Sequence, residues 1–404
     1  MRAVFTPCRL SGKIDAPPSK SMAHRYLIGA ALSGEECTLS GVDYSEDILA
    51  SIDCLRALGC IVDTQSDQVF LHAERFLSPD TDALVLNCRE SGSTLRFFLP
   101  LALCMGKPVI LRGSTRLLER PLAVYETLCR ERGFRFEKNT DSVTVCGELS
   151  SGTYRVRGDS SSQFLSGLLF ALVHLGGESV IQVVPPFASR SYVGLTIAAL
   201  RSFGADVSFT DEYTIAIRKA RLHAYSGRIE GDYSNAAFLD AFNCLGSAVE
   251  ICNLRADSLQ GDRVYQAYFP QLLAGTPTLD LSDCPDLAPV LITLAALRNG
   301  AVFTGTDRLR AKESDRGEAM REELMKLGGG LQLGDDCITV PKQRLCYREE
   351  PLSGHNDHRI VMACAVLLTQ TGGEITGVEA VRKSYPHFFM DIQKLGAEVT
   401  LYDC

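Results

Sequence analysis

Three things are missing from this 404-residue sequence, and each absence removes a class of protein. First, no apolar run approaches membrane-spanning length; the most apolar stretch, FLSGLLFALVHLGG at 164–177, is broken by Ser, Gly and His. The start, MRAVFTPCRLSGKIDAPPSK, has no apolar core of signal-peptide length. Second, there is no C-x-x-C pair. The 15 cysteines are odd in number and scattered, so with no export signal they read as reduced, mostly buried thiols of a cytoplasmic protein. Third, there is no basic excess. With 41 Lys and Arg against 49 Asp and Glu, the formal net charge is -8. That argues against a nucleic-acid binder and leaves room only for a local basic pocket. Histidine is scarce too, and the one tight pair is His355 and His358 in GHNDHR, with no third ligand cluster beside it. That pair alone does not make a metal site.

What is present is repetition. A polar cluster, an apolar helix-like run and a small or glycine stop recur six times, at 19–34, 90–106, 159–177, 232–246, 285–300 and 356–373. Between them a second pattern recurs, an amphipathic helix ending near Gly and then a strand: LRALGCIVD, LCRERGFRFE, LRSFGADVSF, QLLAGTPTLDL, LMKLGGGLQL and IQKLGAEVTLY. Gly is placed where a helix end wants a left-handed residue, and alternation such as Ala-Asp-Val-Ser-Phe marks the strand that follows. The chain therefore reads as six α/β units of roughly 67 residues, 404 divided by six.

Charge is distributed unexpectedly along this pattern. In RLRAKESDRGEAMREELMKLGG (308–329), Met320, Leu324 and Leu327 mark an amphipathic helix. Asp315 with Glu318 three residues on marks its start. A helix start favours anions, yet Arg308, Arg310, Lys312 and Arg316 crowd this one. Lys20, Ser21 and Arg25 open the first apolar helix; Glu90, Ser91, Gly92, Ser93 and Arg96 the second; Ser161, Ser162 and Gln163 the third. Asp286 opens the fifth, and Asp357, His358 and Arg359 the sixth. Free N–H groups at helix starts bind anions, Ser adds donors, and Arg adds a two-pronged donor. Each Arg could instead pair with a nearby carboxylate, as Arg316 could with Glu313. Across so many starts, the pattern points to a small, multiply anionic substrate.

KESDR at 312–316, NDHR at 356–359, SKSMAHR at 19–25, SGSTLR at 91–96, LLERP at 117–121 and SSQF at 161–164 together resemble the 5-enolpyruvylshikimate-3-phosphate synthase family, in order, from about residue 10 to 400. The resemblance implies an α/β (α+β) fold of two similar globular domains, an inside-out α/β barrel arrangement with three βαβαββ repeats each. Domain I would combine 1–18 with 229–404, domain II would be 19–228, and crossovers would fall near 15–19 and 226–231. It implies transfer of the enolpyruvyl group of phosphoenolpyruvate to the 5-hydroxyl of shikimate 3-phosphate, with no metal, no organic cofactor and no nucleic acid or membrane partner. The family precedent is a monomer.

By the same resemblance, Lys20, Ser21, Arg25, Ser161, Ser162, Gln163, Ser189, Tyr192, Asp286 and Lys312 hold shikimate 3-phosphate. Lys20, Gly92, Arg120, Gln163, Arg316, Arg359 and Lys383 hold phosphoenolpyruvate. Tyr192 could instead be core packing, and Arg96 is expected to support the SGST loop. Asp286 is the candidate base for the hydroxyl. Glu313 is the candidate for the methylene carbon, with Lys20 or Lys383 as competing acids, and His358 orients or shares a proton. Glu90 and Arg308 depart from the family pattern and alter charge near the phosphoenolpyruvate site, which bears on the response to glyphosate; Gly92 is retained. Because the ligands divide between the domains, substrates are expected to draw the halves together. Two rivals exist: an enolpyruvyl transferase acting on UDP-N-acetylglucosamine, which typically carries a loop cysteine absent from LRGSTRLLERP at 111–121, and a non-catalytic six-repeat binding protein.

Overall fold

The computed structural model describes residues 1–79, 81 and 84–403. The chain divides into two compact units, Met1–Pro17 with Gly231–Cys404, and Pro18–Glu230.

In the Pro18–Glu230 unit, three four-stranded sheets share one topology. Leu84–Asn87 pairs in parallel with Val109–Arg112, which pairs antiparallel with Ser142–Cys146, which pairs antiparallel with Arg135–Lys138. Thr153–Arg157, Ser179–Val184, Thr214–Arg218 and Asp206–Phe209 repeat that order. So do Gly227–Arg228, Glu36–Ser40, Gln68–His72 and Ile61–Gln65. The last two strands of each set form an antiparallel hairpin, and the parallel pairs of the first two sets are joined through a helix, so the order is that of a βαβαββ repeat. Register is set by burial of one face. Leu86 pairs with Leu111 and Leu111 with Val143, and all three are buried. A one-residue slip would expose all of them.

In the other unit, Thr278–Asp280, Ala301–Thr304, Cys337–Val340 and Gln332–Leu333 follow the same order. Leu352–Ser353, Gly373–Thr376, Arg2–Phe5 and Val399–Tyr402 do as well, with the chain's first strand filling a late position in its last repeat. The sixth sheet departs from expectation: it has two described strands, Ser11–Asp15 parallel to Ala248–Cys252. The cause is chain length. Helix Tyr265–Ala274 is followed after only Gly275, Thr276 and Pro277 by Thr278–Asp280, the first strand of the next repeat. No residues remain for a closing hairpin.

The six apolar runs are the six inner helices: Lys20–Ser33, Gly92–Ala102 and Ser162–Leu175 in one unit, and Tyr233–Cys244, Ala288–Leu297 and His358–Thr371 in the other. They are apolar nearly all round, so they are buried. Leu169, Phe170 and Leu172 are fully covered, each contributing about 1.5–3 kcal/mol relative to exposure. Gly167 lets two of these helices meet closely, since a Cβ there would stand 2.2 Å from the Arg96 carbonyl oxygen. Side-chain acceptors cap the starts: Ser19, Ser91, Ser161, Asp232 and Asp357. The fifth run differs. It opens with a 3-10 turn, Pro285–Leu287, without a side-chain cap, before Ala288–Leu297 begins. No described helix is long and apolar enough to cross a membrane.

Candidate active site

In the unit containing both chain ends, the structure brings together Asp286, Lys312, Glu313, Arg316, His358 and Arg359. Asp286 Oδ1 accepts from Lys312 Nζ at 3.0 Å and from Arg316 Nη1 at 2.7 Å, and Oδ2 accepts from Arg359 Nη2 at 3.2 Å. Burial pushes the Asp286 carboxyl up, but Arg359, Lys312 and Arg316 outweigh it and hold the group well below the usual carboxylate range.

Arg316 begins helix Arg316–Lys326, which Asp315 caps through the Glu318 N–H at 3.2 Å, the start expected from sequence. Its side chain is 1% exposed. It also donates to Glu313 Oε2 at 2.9 Å and, through Nε, to Asp357 Oδ2 at 2.9 Å. Burial disfavours its charge, and Asp357, Glu313 and Asp286 more than restore it, so its proton is held more tightly than usual. Burial pulls the Lys312 pKa down, against the pull of Asp286. Arg359 is 4% exposed and charged, its pKa raised as Asp286 overcomes burial. Its Nε and Nη1 are buried without a hydrogen-bond partner among the described residues. Buried donors in that state are costly and mark a place where an acceptor is missing.

Asp357 was not among the expected site residues, yet it braces the centre. Fully buried, it caps its helix through the Arg359 N–H at 2.9 Å and accepts from Ser314 Oγ at 3.0 Å as well as from Arg316. His358 is buried beside it, Nδ1 3.7 Å from Asp357 Oδ1. Lys383 Nζ donates to the Asn356 carbonyl at 2.6 Å, which brings it to the same helix start. Asp262 and Asp232 bear electrostatically on Arg359; Ser234 donates to Asp262. Arg308 instead donates to the Ser282 carbonyl, and Arg310 faces Asp307 at 3.7 Å on the surface. Of the four cations at this helix start, Lys312 and Arg316 donate to Asp286, Arg308 bears electrostatically on Lys312, and Arg310 pairs at the surface.

His355 does not join His358 as a metal ligand. Its Nε2 lies 2.6 Å from Glu323 Oε1 and 3.7 Å from Glu322 Oε2. Lys326 Nζ already sits 3.0 Å from both Glu323 oxygens, so an ammonium supplies the charge that a cation would bring.

In the Pro18–Glu230 unit, Lys20 begins its helix and its Nζ donates to Asp47 Oδ2 at 2.7 Å. Gly92 begins the next inner helix, where a Cβ would stand 2.7 Å from Arg120 Nη1. Gln163 links two helices: Oε1 accepts from Arg96 Nη1 at 2.7 Å and Nε2 donates to Ser93 Oγ at 2.8 Å. Arg96 also donates to the Pro121 carbonyl at 3.3 Å, a bracing geometry. Arg25 is buried with all three nitrogens engaged: Nε with Thr196 Oγ1 at 2.8 Å, Nη1 with the Ser21 carbonyl at 2.6 Å, and Nη2 with the Tyr192 carbonyl at 3.0 Å. Burial lowers its pKa to about 10. A guanidinium has five N–H groups, so two remain for a ligand. Ser161 caps the helix that Ser162 begins. Ser189 sits in a left-handed conformation (φ 52°), strained for a serine, and its carbonyl accepts from the Tyr192 N–H at 3.2 Å.

Lys20 holds Asp47, and Lys312, Arg316 and Arg359 share Asp286. Glu313 as a partner of Arg316 was visible in sequence at a spacing of three residues. Asp47 was not recognised, and Asp357 was noted only as opening its helix, not as the partner of Arg316.

The fold is that of the enolpyruvyl transferases. An EPSP synthase structure from Acinetobacter baumannii superposes with a TM-score of 0.78 at 21% identity, covering 100% of both chains. The enolpyruvyl transferase NikO from Streptomyces tendae gives 0.73 at 15% identity, covering 99% of this chain and 98% of that one. The family model for EPSP synthase (3-phosphoshikimate 1-carboxyvinyltransferase) matches residues 4–392, and the chain belongs to that family. Relatives named 3-phosphoshikimate 1-carboxyvinyltransferase include one from Clostridium kluyveri, 36% identical over 98% of this chain and 97% of the relative. Another, from Clostridioides difficile, is 32% identical over 97% of each.

Proposed function

We propose that this chain transfers the enolpyruvyl group of phosphoenolpyruvate to the 5-hydroxyl of shikimate 3-phosphate, releasing phosphate. The observation that carries the reading is the arrangement around Asp286, one carboxylate held by three cations, one of which keeps buried N–H groups without acceptors among the described residues. That arrangement suits exchange. An incoming phosphate or carboxylate supplies acceptors to Arg359, Arg316 and Lys312, loosening their hold on Asp286. The freed carboxylate then becomes a stronger base, just where a hydroxyl must lose a proton.

In the reaction the methylene carbon of phosphoenolpyruvate gains a proton and the adjacent carbon becomes cation-like. The substrate oxygen attacks that carbon as Asp286 takes the hydroxyl proton. The bond to the phosphate oxygen then breaks and the methyl group returns a proton to the enzyme. Glu313, held by Arg316, is assigned to the carbon proton, with Lys20 and Lys383 as competing acids. Shikimate 3-phosphate is assigned Lys20, Ser21, Arg25, Ser161, Ser162, Gln163, Ser189, Tyr192, Asp286 and Lys312. Phosphoenolpyruvate is assigned Lys20, Gly92, Arg120, Gln163, Arg316, Arg359 and Lys383.

Phosphate release with phosphoenolpyruvate and shikimate 3-phosphate tests the reaction, with UDP-N-acetylglucosamine as the contrasting acceptor. Turnover only with shikimate 3-phosphate is expected, and turnover only with the sugar nucleotide would overturn it. The reading includes a cytoplasmic monomer, as the family precedent has it. It also includes a substrate-driven approach of the two units, for which a smaller radius of gyration with both substrates is the measure.

A further inference from the structure

Three helices of the Pro18–Glu230 unit are tied by a buried row of polar side chains that the scheme above leaves unused. His24, in helix Lys20–Ser33 and 1% exposed, has Nδ1 2.8 Å from Ser51 Oγ in helix Glu46–Ala57. Ser51 Oγ lies 2.8 Å from Thr94 Oγ1 in helix Gly92–Ala102. Thr94 Oγ1 donates to Ser91 Oγ at 2.7 Å, and the Thr94 N–H donates to the same oxygen at 3.2 Å.

A hydroxyl has one proton to give. Thr94 directs its proton to Ser91, so Ser51 donates to Thr94, and Ser51 in turn accepts from His24. The ring is therefore the Nδ1–H tautomer. Its Nε2 is buried with no hydrogen-bond partner among the described residues. Burial first, then Lys20 and Arg25, keep the ring neutral.

The row lies beside the Lys20–Asp47 ion pair. His24 follows Lys20 by four residues and Ser51 follows Asp47 by four, so the two links cross one helix–helix seam a turn apart. Its far end is the cap of the helix that Gly92 begins, against which Arg120 lies. We propose that His24 is a positioning residue for phosphoenolpyruvate binding, its Nδ1–H fixing, through Ser51 and Thr94, the Gly92 helix start relative to Lys20. This rests on the assignment of Lys20, Gly92 and Arg120 to phosphoenolpyruvate.

Two measurements on the full chain test it. Nitrogen-15 NMR of the wild-type protein at neutral pH is expected to show His24 protonated at Nδ1 and bare at Nε2; the opposite tautomer or a charged ring overturns the relay. In kinetics, His24→Phe and Ser51→Ala are expected to raise KM for phosphoenolpyruvate about tenfold with kcat within about threefold, the scale of one lost hydrogen bond. His24→Asn, whose amide donates from near the Nδ1 position, is expected to stay within about threefold of wild type. A folded Ser51→Ala enzyme with unchanged KM for phosphoenolpyruvate overturns the positioning role even if His24→Phe fails to fold. By contrast, an unchanged KM in Lys20→Ala removes the site assignment while leaving the NMR result standing.

Discussion

A Cβ placed on Gly92 would stand 2.7 Å from Arg120 Nη1 and 2.9 Å from its Cζ. Ordinary contacts between such atoms are near 3.5 Å, and Arg120, 6% exposed, has little room to retreat. The clash is purely steric, because Gly92 is the first residue of an ordinary helix. Gly92→Ala is therefore expected to displace the guanidinium and raise KM for phosphoenolpyruvate about ten- to a hundredfold, misplacement by about an ångström being enough. KM for shikimate 3-phosphate should change less than about threefold. Steady-state kinetics with each substrate varied checks this; equal changes in both would mean that Arg120 does not serve phosphoenolpyruvate.

Asp286 pairs with Lys312, Arg316 and Arg359 together. Its loss removes the proposed base and leaves the cations to meet substrate anions unopposed. Asp286→Ala is expected to lower kcat at least about a hundredfold while phosphoenolpyruvate binding holds or tightens. Single-turnover rates and a phosphoenolpyruvate titration measure the two effects separately. Normal turnover in the variant would reassign the base.

Much of this centre is legible in sequence, and the rest fails for a specific reason. A cap and its helix are local, so Asp315 with Glu318 could be read directly, as could the inner helices and most of the glycine stops. Gly59, Gly133, Gly204, Gly328 and Gly396 all have positive φ. Gly275 does not: it is extended, φ -176°, because the chain runs straight into the next strand. Partners distant in sequence are another matter. Asp47 reaches Lys20 across 27 residues and Asp357 reaches Arg316 across 41. Nothing in the spacing of SKSMAHR or KESDR announces either. His24 is harder still, since a single histidine in an apolar helix shows nothing of the three hydroxyls that complete its row.

Asp357 carries a stability prediction because it is fully buried and holds Arg316, Ser314 and its own helix start. Removing one partner of a buried pair typically costs about 3–5 kcal/mol. Asp357→Asn keeps an acceptor for the cap but no charge, and is expected to cost about 3 kcal/mol, roughly 6–12 °C in Tm for a unit of this size. Asp357→Ala should lose about 1 kcal/mol more with the cap. Burial raises the Asp357 carboxyl, but Arg316 more than reverses this, so its folded pKa is depressed. A depressed pKa stabilises fully above the unfolded value of about 3.9 and progressively less as pH falls below it. The gap between wild type and Asp357→Asn should thus be constant from neutral pH to about pH 5 and close below about pH 4. Thermal melts across that range measure it, and a gap independent of pH would show that the charge is not the source.

The same electrostatics make Lys312 a control on the base. With Lys312, Arg316 and Arg359 in place, Asp286 remains ionised far into acid, so its protonation does not limit the wild-type enzyme at mildly acidic pH. Removing one cation takes away part of that stabilisation. A nearby opposite charge holds an aspartate's pKa down, so Lys312→Gln should raise that of Asp286. A base with a higher pKa loses its ionised form at higher pH, and the acid limb of the kcat/KM profile, which reports groups of the free enzyme, is expected to move toward neutrality. Lys312 is also assigned to shikimate 3-phosphate, so the whole profile should drop as well. The drop alone says only that a ligand contact is gone. A displaced limb identifies the cation as the group that tunes Asp286, and a profile that falls without moving would separate Lys312 from the base altogether.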